Sequence, residues 1–161
     1  MKNSRKSTAR GFSLIELVIV VVIIGIIGAI AIPRMSRGSA GAADSALVGD
    51  LSVLRNAIDL YAAEHGGSFP ALATITNQLT KLTNAAGAVD DGSGKAGGYL
   101  FGPYIRKIPT LKVGSFKGLS AFTDTLGTAG AGWVYNAATG EVTANGVASD
   151  KDESGKLYSS Y

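Results

Sequence analysis

The sequence contains no cysteine, and only one histidine and one tryptophan. Without cysteine there can be no disulfide, no thiol nucleophile and no lipid attached through sulfur. The single histidine, His65, has no cysteine and no evident ligand partners around it. That argues against a metal site or a catalytic triad. Charged residues make up 17% of the chain, and no acid precedes Glu16. No paired set of nucleophile, base or acid stands out, so the reading is of a protein that is not an enzyme. No internal repeat is visible either.

What is present is concentrated at one end. Phe12 to Ile32 is a run of 21 residues whose only charge is Glu16. As a helix it would be about 31 Å long, close to the thickness of a bilayer core. Val, Ile and Leu occupy every face, so lipid or other helices should surround it. Gly25, Gly28 and Pro33 are expected to weaken its last turns.

The formal net charge of +3 misleads about the rest. Lys2, Arg5, Lys6 and Arg10 all precede Phe12. Taking these four from the fifteen basic residues leaves eleven against twelve acids, a formal side-chain charge of −1. The basic character belongs to a leader, so nucleic-acid binding gains no support. A cationic cluster before an apolar run instead holds an N-terminus on the cytoplasmic side of a membrane.

Four zones follow: a leader (1–11), the apolar run (12–32), an amphipathic helix (33–65) and a small globular domain (66–161). In the third zone Leu47, Leu51, Leu54, Ile58 and Tyr61 recur at steps of four and three, which places them on one helical face. Arg55 and Asp59 are spaced as an i,i+4 ion pair. Gly66-Gly67 supplies a stop, and Pro70 prevents continuation. Farther on, Ile75 to Leu82 suggests a short helix, and Ala85 to Gly98 a mobile loop. Trp133-Val134-Tyr135 and Glu141-Val142-Thr143 flank a turn containing Asn136 and Gly140, which predicts a hairpin. Trp133 and Tyr135 alternate onto one face and read as core.

The string Arg10-Gly11-Phe12-Ser13-Leu14-Ile15-Glu16 carries the chemistry. A peptidase working at a membrane surface needs an extended, unhindered bond, and Gly11 provides one. Cutting after Gly11 frees the amine of Phe12 at the top of the helix. Glu16 is costly in an apolar span, by up to about 3 kcal/mol at mid-bilayer. It either sits at the interface, helped by the positive end of the helix dipole, or finds a cation when subunits assemble. The Phe12 amine of a neighbouring subunit is such a cation.

The stretch from Gly11 to Pro33 resembles the N-terminal methylation motif of type IV pilins and type II secretion pseudopilins. The resemblance implies that a prepilin peptidase cuts after Gly11 and methylates Phe12, and that Glu16 is the assembly carboxylate. It also implies that Gly25 and Pro33 bound a helix segment that loosens in filaments. The motif covers about one seventh of the chain. Asp44 to Pro70, Gly102 to Pro109 and the Trp133 to Asn145 hairpin are similar, more loosely, to major pseudopilins of type II secretion. The missing Cys pair departs from many true pilins, whose C-terminal loop a disulfide closes.

Other signals point elsewhere. Ala40-Gly41-Ala42 fits a secretory signal's cleavage site, but the apolar run exceeds a signal's usual length and Glu16 would be misplaced in it. Asp150, Asp152 and Ser154 alternate like the start of a calcium loop, and major pseudopilins bind calcium near their C-terminus. The pattern lacks a Glu at its twelfth place, and a solvated acidic tail is the simpler reading. Gly92-Ser93-Gly94-Lys95 fails as a phosphate loop, because Val89 stands where the first Gly should be and Ala96 follows the Lys.

The expected fold is α+β: a long N-terminal helix packed on a small antiparallel sheet. The expected function is structural, that of a single-pass inner-membrane precursor with its C-terminal domain outside the cytoplasm. It would polymerise with copies of itself through the apolar helix, on an assembly platform with minor pilins or pseudopilins. Type II secretion is the favoured machine. A type IV pilus for adhesion, motility or DNA uptake is the alternative, and a membrane-tethered binding protein that never polymerises is an alternative of another class.

Overall fold

The computed structural model describes residues 12–161, with the side chains of 31–40 left out of the description. The leader, including Gly11 and its four cations, lies outside the described residues. The chain divides into two compact units, Met1–Ser39 and Ala40–Tyr161. Helix α1 is assigned from Leu14 to Glu64.

In the first unit, every large apolar side chain from Phe12 to Ile30 is exposed. The expected weakening at Gly25, Gly28 and Pro33 does not interrupt α1, which is assigned through all three positions. Each Gly costs only about 1 kcal/mol against Ala, and Pro33 removes one amide donor from a helix of 51 residues. The loosening that the resemblance implies concerns filaments.

In the second unit, Leu47, Leu51, Leu54, Ile58 and Tyr61 are all buried, as their spacing predicts. Burying each such side chain is worth about 2 kcal/mol, which is why this face of α1 packs. The helix stops as the glycines predict. Gly66 and Gly67 have positive φ, and the Gly67 N–H bonds back to Ala62 O at 2.8 Å. Arg55 does not pair with Asp59. Its guanidinium donates instead to Val142 O at 3.1 Å and Tyr161 O at 2.7 Å.

Helix α2 spans Ile75–Thr80 and buries Ile75, Gln78 and Leu79. Strands β1 (Phe122–Thr123), β2 (Trp133–Tyr135) and β3 (Val142–Ala144) form one sheet in that order. The predicted hairpin is β2–β3, with Val134 opposite Thr143 and Tyr135 opposite Val142. Its turn is held by Asn136, whose N–H donates to Glu141 O and whose Oδ1 accepts the Ala138 N–H, both at 2.9 Å. Gly140 is required in this turn: its φ is 74°, and a Cβ there would overlap the Phe69 ring.

The sheet is mixed, which corrects the antiparallel expectation. β1 runs parallel to β2, with Phe122 opposite Trp133. The connection between them, 124–132, carries the chain back to the end where β1 began, so β2 starts in the same direction. Trp133, Tyr135, Val142 and Ala144 face the core, whereas Val134 and Thr143 lie half-exposed on the opposite face. The buried polar tips find carbonyls. Trp133 Nε1 donates to Pro109 O and Tyr135 OH to Pro70 O, both at 2.9 Å. Burial pushes the Tyr135 hydroxyl up to about 12. The segment expected to be a mobile loop, Ala85 to Gly98, contains a 3-10 turn at Gly94–Gly97, and Asp90 Oδ1 accepts the Gly92 and Gly94 N–H groups at 2.9 Å.

Candidate functional site

Helix α1 begins at Leu14, so Ser13 is its N-cap. The first amides of a helix lack intrahelical acceptors, and a carboxylate at the third helical position can reach back to one of them. Glu16 does this: its Oε2 accepts the Ser13 N–H at 2.8 Å. Ser13-Leu14-Ile15-Glu16 therefore reads S-x-x-E, the capping-box spacing. The sequence reading missed that role, although the signal was there. Glu16 and Phe12 are both exposed, Phe12 by 85%. The one carboxylate of the apolar segment is thereby held at its N-terminal end. It lies four residues from Phe12, whose amine a cut after Gly11 would release.

Among the described residues, no helix is long and apolar enough to cross a membrane.

The C-terminal loop is the second candidate. Asp150 Oδ2 accepts the N–H groups of Ser115 (2.9 Å) and Val147 (3.1 Å), and its Oδ1 accepts the Ser115 hydroxyl (2.8 Å). Burial raises the Asp150 carboxyl, but these hydrogen bonds outweigh it and hold it below the ordinary aspartate value. Asp152 Oδ1 accepts the Ser154 N–H and hydroxyl and the Lys156 N–H, while Oδ2 accepts the Tyr161 hydroxyl. The Tyr161 and Ser154 contacts hold Asp152 well below the usual range.

These residues do not fit a calcium ion as they stand. The two carboxylates serve different turns, and Ser154 acts as a donor to Asp152 instead of a ligand. All four carboxylate oxygens already accept from the chain. Among the described residues, no three His, Cys, Asp or Glu side chains are grouped to hold a metal. The loop is a hydrogen-bonded clasp, fastened to α1 where the Tyr158 hydroxyl donates to Asp44 Oδ1 at 2.9 Å.

His65 is buried in the core. It stacks on Tyr61 with ring centroids 3.9 Å apart, and its nitrogens lie 2.8 Å from Tyr61 O and 3.0 Å from Asn84 O. The sequence reading also missed Asn145, which is 1% exposed. Its Oδ1 accepts the Gly127 N–H, and its Nδ2 donates to Thr128 O and Ala131 O, all at 2.8 Å. That side chain ties the 124–132 connection to the end of β3. No local pattern marks such a residue, because its partners are 14 to 18 positions away.

The described residues combine a helix start capped by a carboxylate, an exposed apolar stretch after it and a small α+β unit. Residues 6–32 match the family described as "Prokaryotic N-terminal methylation motif". The match contains Gly11, Phe12 and Glu16, and the likeness, to the N-terminus of type IV pilin-like proteins, is confined to that segment. Searches of curated proteins and of solved structures gave no significant match.

Proposed function

We propose that the chain is the precursor of a structural subunit of a membrane-anchored helical filament. A prepilin peptidase cuts it between Gly11 and Phe12 and methylates the Phe12 amine. Before assembly the apolar run, 12–32, holds the subunit in the bacterial inner membrane with the 66–161 domain outside the cytoplasm. During assembly the run leaves lipid for a filament core built from the same segment of other copies.

One observation carries this reading. Every large apolar side chain from Phe12 to Ile30 is exposed on a continuous helix, and the stretch's one carboxylate sits at its N-terminal end. Such a helix is stable in lipid or among its own kind, not in water. In a dry bundle Glu16 needs a cation, and the Phe12 amine of a neighbour supplies it while fixing the axial register.

The machine we favour is type II secretion, in which a pseudopilus moves exported proteins. The absence of cysteine and the hairpin of β2 and β3 support that choice over a type IV pilus. The test is filament yield on overproduction in cells with a secretion platform. Glu16→Ala should abolish sedimentable filaments while leaving the subunit in the membrane. Undiminished filaments, or an equal loss of membrane-bound subunit, would count against the reading. Co-purification with a pilus assembly ATPase instead of a secretion one would move it to the pilus.

A further inference from the structure

Beside Val134, on the half-exposed side of β2, the sheet carries a groove that the filament reading leaves unused. It has a volume of about 600 Å³, and its lining includes Leu72, Asp124, Val134, Asn136 and Ala138. A smaller recess of about 170 Å³ adjoins it through Val134 and Asn136 and reaches Glu141 and Thr143. The floor is apolar and half-buried, and the rim carries two exposed carboxylates, Asp124 and Glu141. No lysine or arginine lines either hollow. The charges around the groove are therefore negative only.

The same domain presents charge of the opposite sign. Outside the leader, Arg106-Lys107 is the one place where two basic residues adjoin. Both are exposed, and neither side chain makes a hydrogen bond among the described residues. The tip that carries them is anchored on both sides. The Tyr104 and Ile105 amides donate to Leu79 O at 3.0 and 3.1 Å, and Ile108 is buried. It is thus a preorganised dibasic projection, and little ordering entropy is lost when it docks.

We propose that Arg106 and Lys107 of one copy dock in the groove of the next copy, against Asp124 and Glu141. Groove and tip are different patches, so the contact is head-to-tail. A head-to-tail contact that does not close on itself extends into an open helical array. Exposed charge pairs add little affinity but select orientation and register. The contact therefore sets how neighbouring domains are spaced while the apolar helices supply cohesion. The proposal rests on the filament reading.

The chain's lack of cysteine makes the test clean. Full-length protein carrying both Lys107→Cys and Glu141→Cys is treated in intact filaments with a short bismaleimide. The expected result is a ladder of covalent oligomers beyond dimer, whereas either single variant, with no partner thiol across the contact, stays monomeric. Glu16-dependent filaments without a ladder would overturn this contact and leave the filament reading standing. Wild-type protein that forms no filaments under the same conditions would overturn both.

Charge reversal identifies the occupant. Asp124→Lys with Glu141→Lys should lower filament yield about tenfold, and adding Arg106→Glu with Lys107→Glu should restore it. Loss without restoration would mean that a different cationic partner fills the groove, and the copy-to-copy contact would fall.

Discussion

The Ser13 amide donates to Glu16 Oε2 at 2.8 Å, so the one carboxylate of the apolar segment caps the helix that carries it. This bond and the proposed intersubunit pair make different demands on the side chain. Capping needs an oxygen acceptor, and assembly needs a negative charge. Glu16→Gln keeps the first and removes the second, whereas Glu16→Ala removes both. Loss of the cap should cost about 1 kcal/mol. Hydrogen exchange at Leu14 to Leu17 in detergent should therefore quicken in Glu16→Ala and stay near wild type in Glu16→Gln. Filaments should be lost in both. Filaments from Glu16→Gln would show that the cap, not the charge, is what assembly uses.

Asn145 should be the least replaceable polar residue of the 40–161 unit. Removing its amide leaves the Gly127 N–H and the Thr128 and Ala131 carbonyls without their partner. Asn145→Ala should destabilise by about 3 kcal/mol, read from urea denaturation of the detergent-solubilised chain. Asn145→Asp should cost more, because a carboxylate would face two carbonyl oxygens. A loss near zero would show that the 124–132 connection is held by other contacts.

The Asp150 clasp gives the domain a pH dependence of known sign. Its folded value lies below the ordinary aspartate value of 3.8, so its contribution is fully present above that value. It is lost as pH falls through the lower folded value. Asp150→Asn removes the titrating group. The melting temperature of the wild type should therefore fall more steeply below pH 4 than that of the variant, with the two curves parallel above pH 5. Parallel curves throughout would mean that Asp150 contributes nothing through its charge.

Calcium should leave the loop unchanged. An ion would have to displace the Ser115, Val147, Ser154 and Tyr161 donors from Asp150 and Asp152. Millimolar calcium is expected to leave both the melting temperature and tyrosine fluorescence as they are. A rise that Asp152→Asn abolishes would show that the clasp rearranges into a metal site.

The features that were legible in the sequence are those whose cause is local. The buried face of α1 follows from the spacing of Leu47 to Tyr61, and its end from Gly66-Gly67. The β2–β3 hairpin follows from alternating apolar residues around Asn136 and Gly140. The direction of β1 was not legible, because its pairing with β2 depends on where a nine-residue connection returns. Asn145 and the Arg55 contacts with Val142 and Tyr161 were hidden for the same reason. Each joins residues far apart in sequence, and a single chain carries no pattern for such meetings. At the N-terminus the capping role was legible in the S-x-x-E spacing of Ser13 and Glu16.

Intact mass spectrometry of the protein from membranes or filaments decides whether the bond between Gly11 and Phe12 is cut. The expected product is a mature chain that starts at Phe12 and carries one added methyl group on its amine. A chain that still begins at Met1, or one that starts at Ala43 after an ordinary secretory cut, would contradict it.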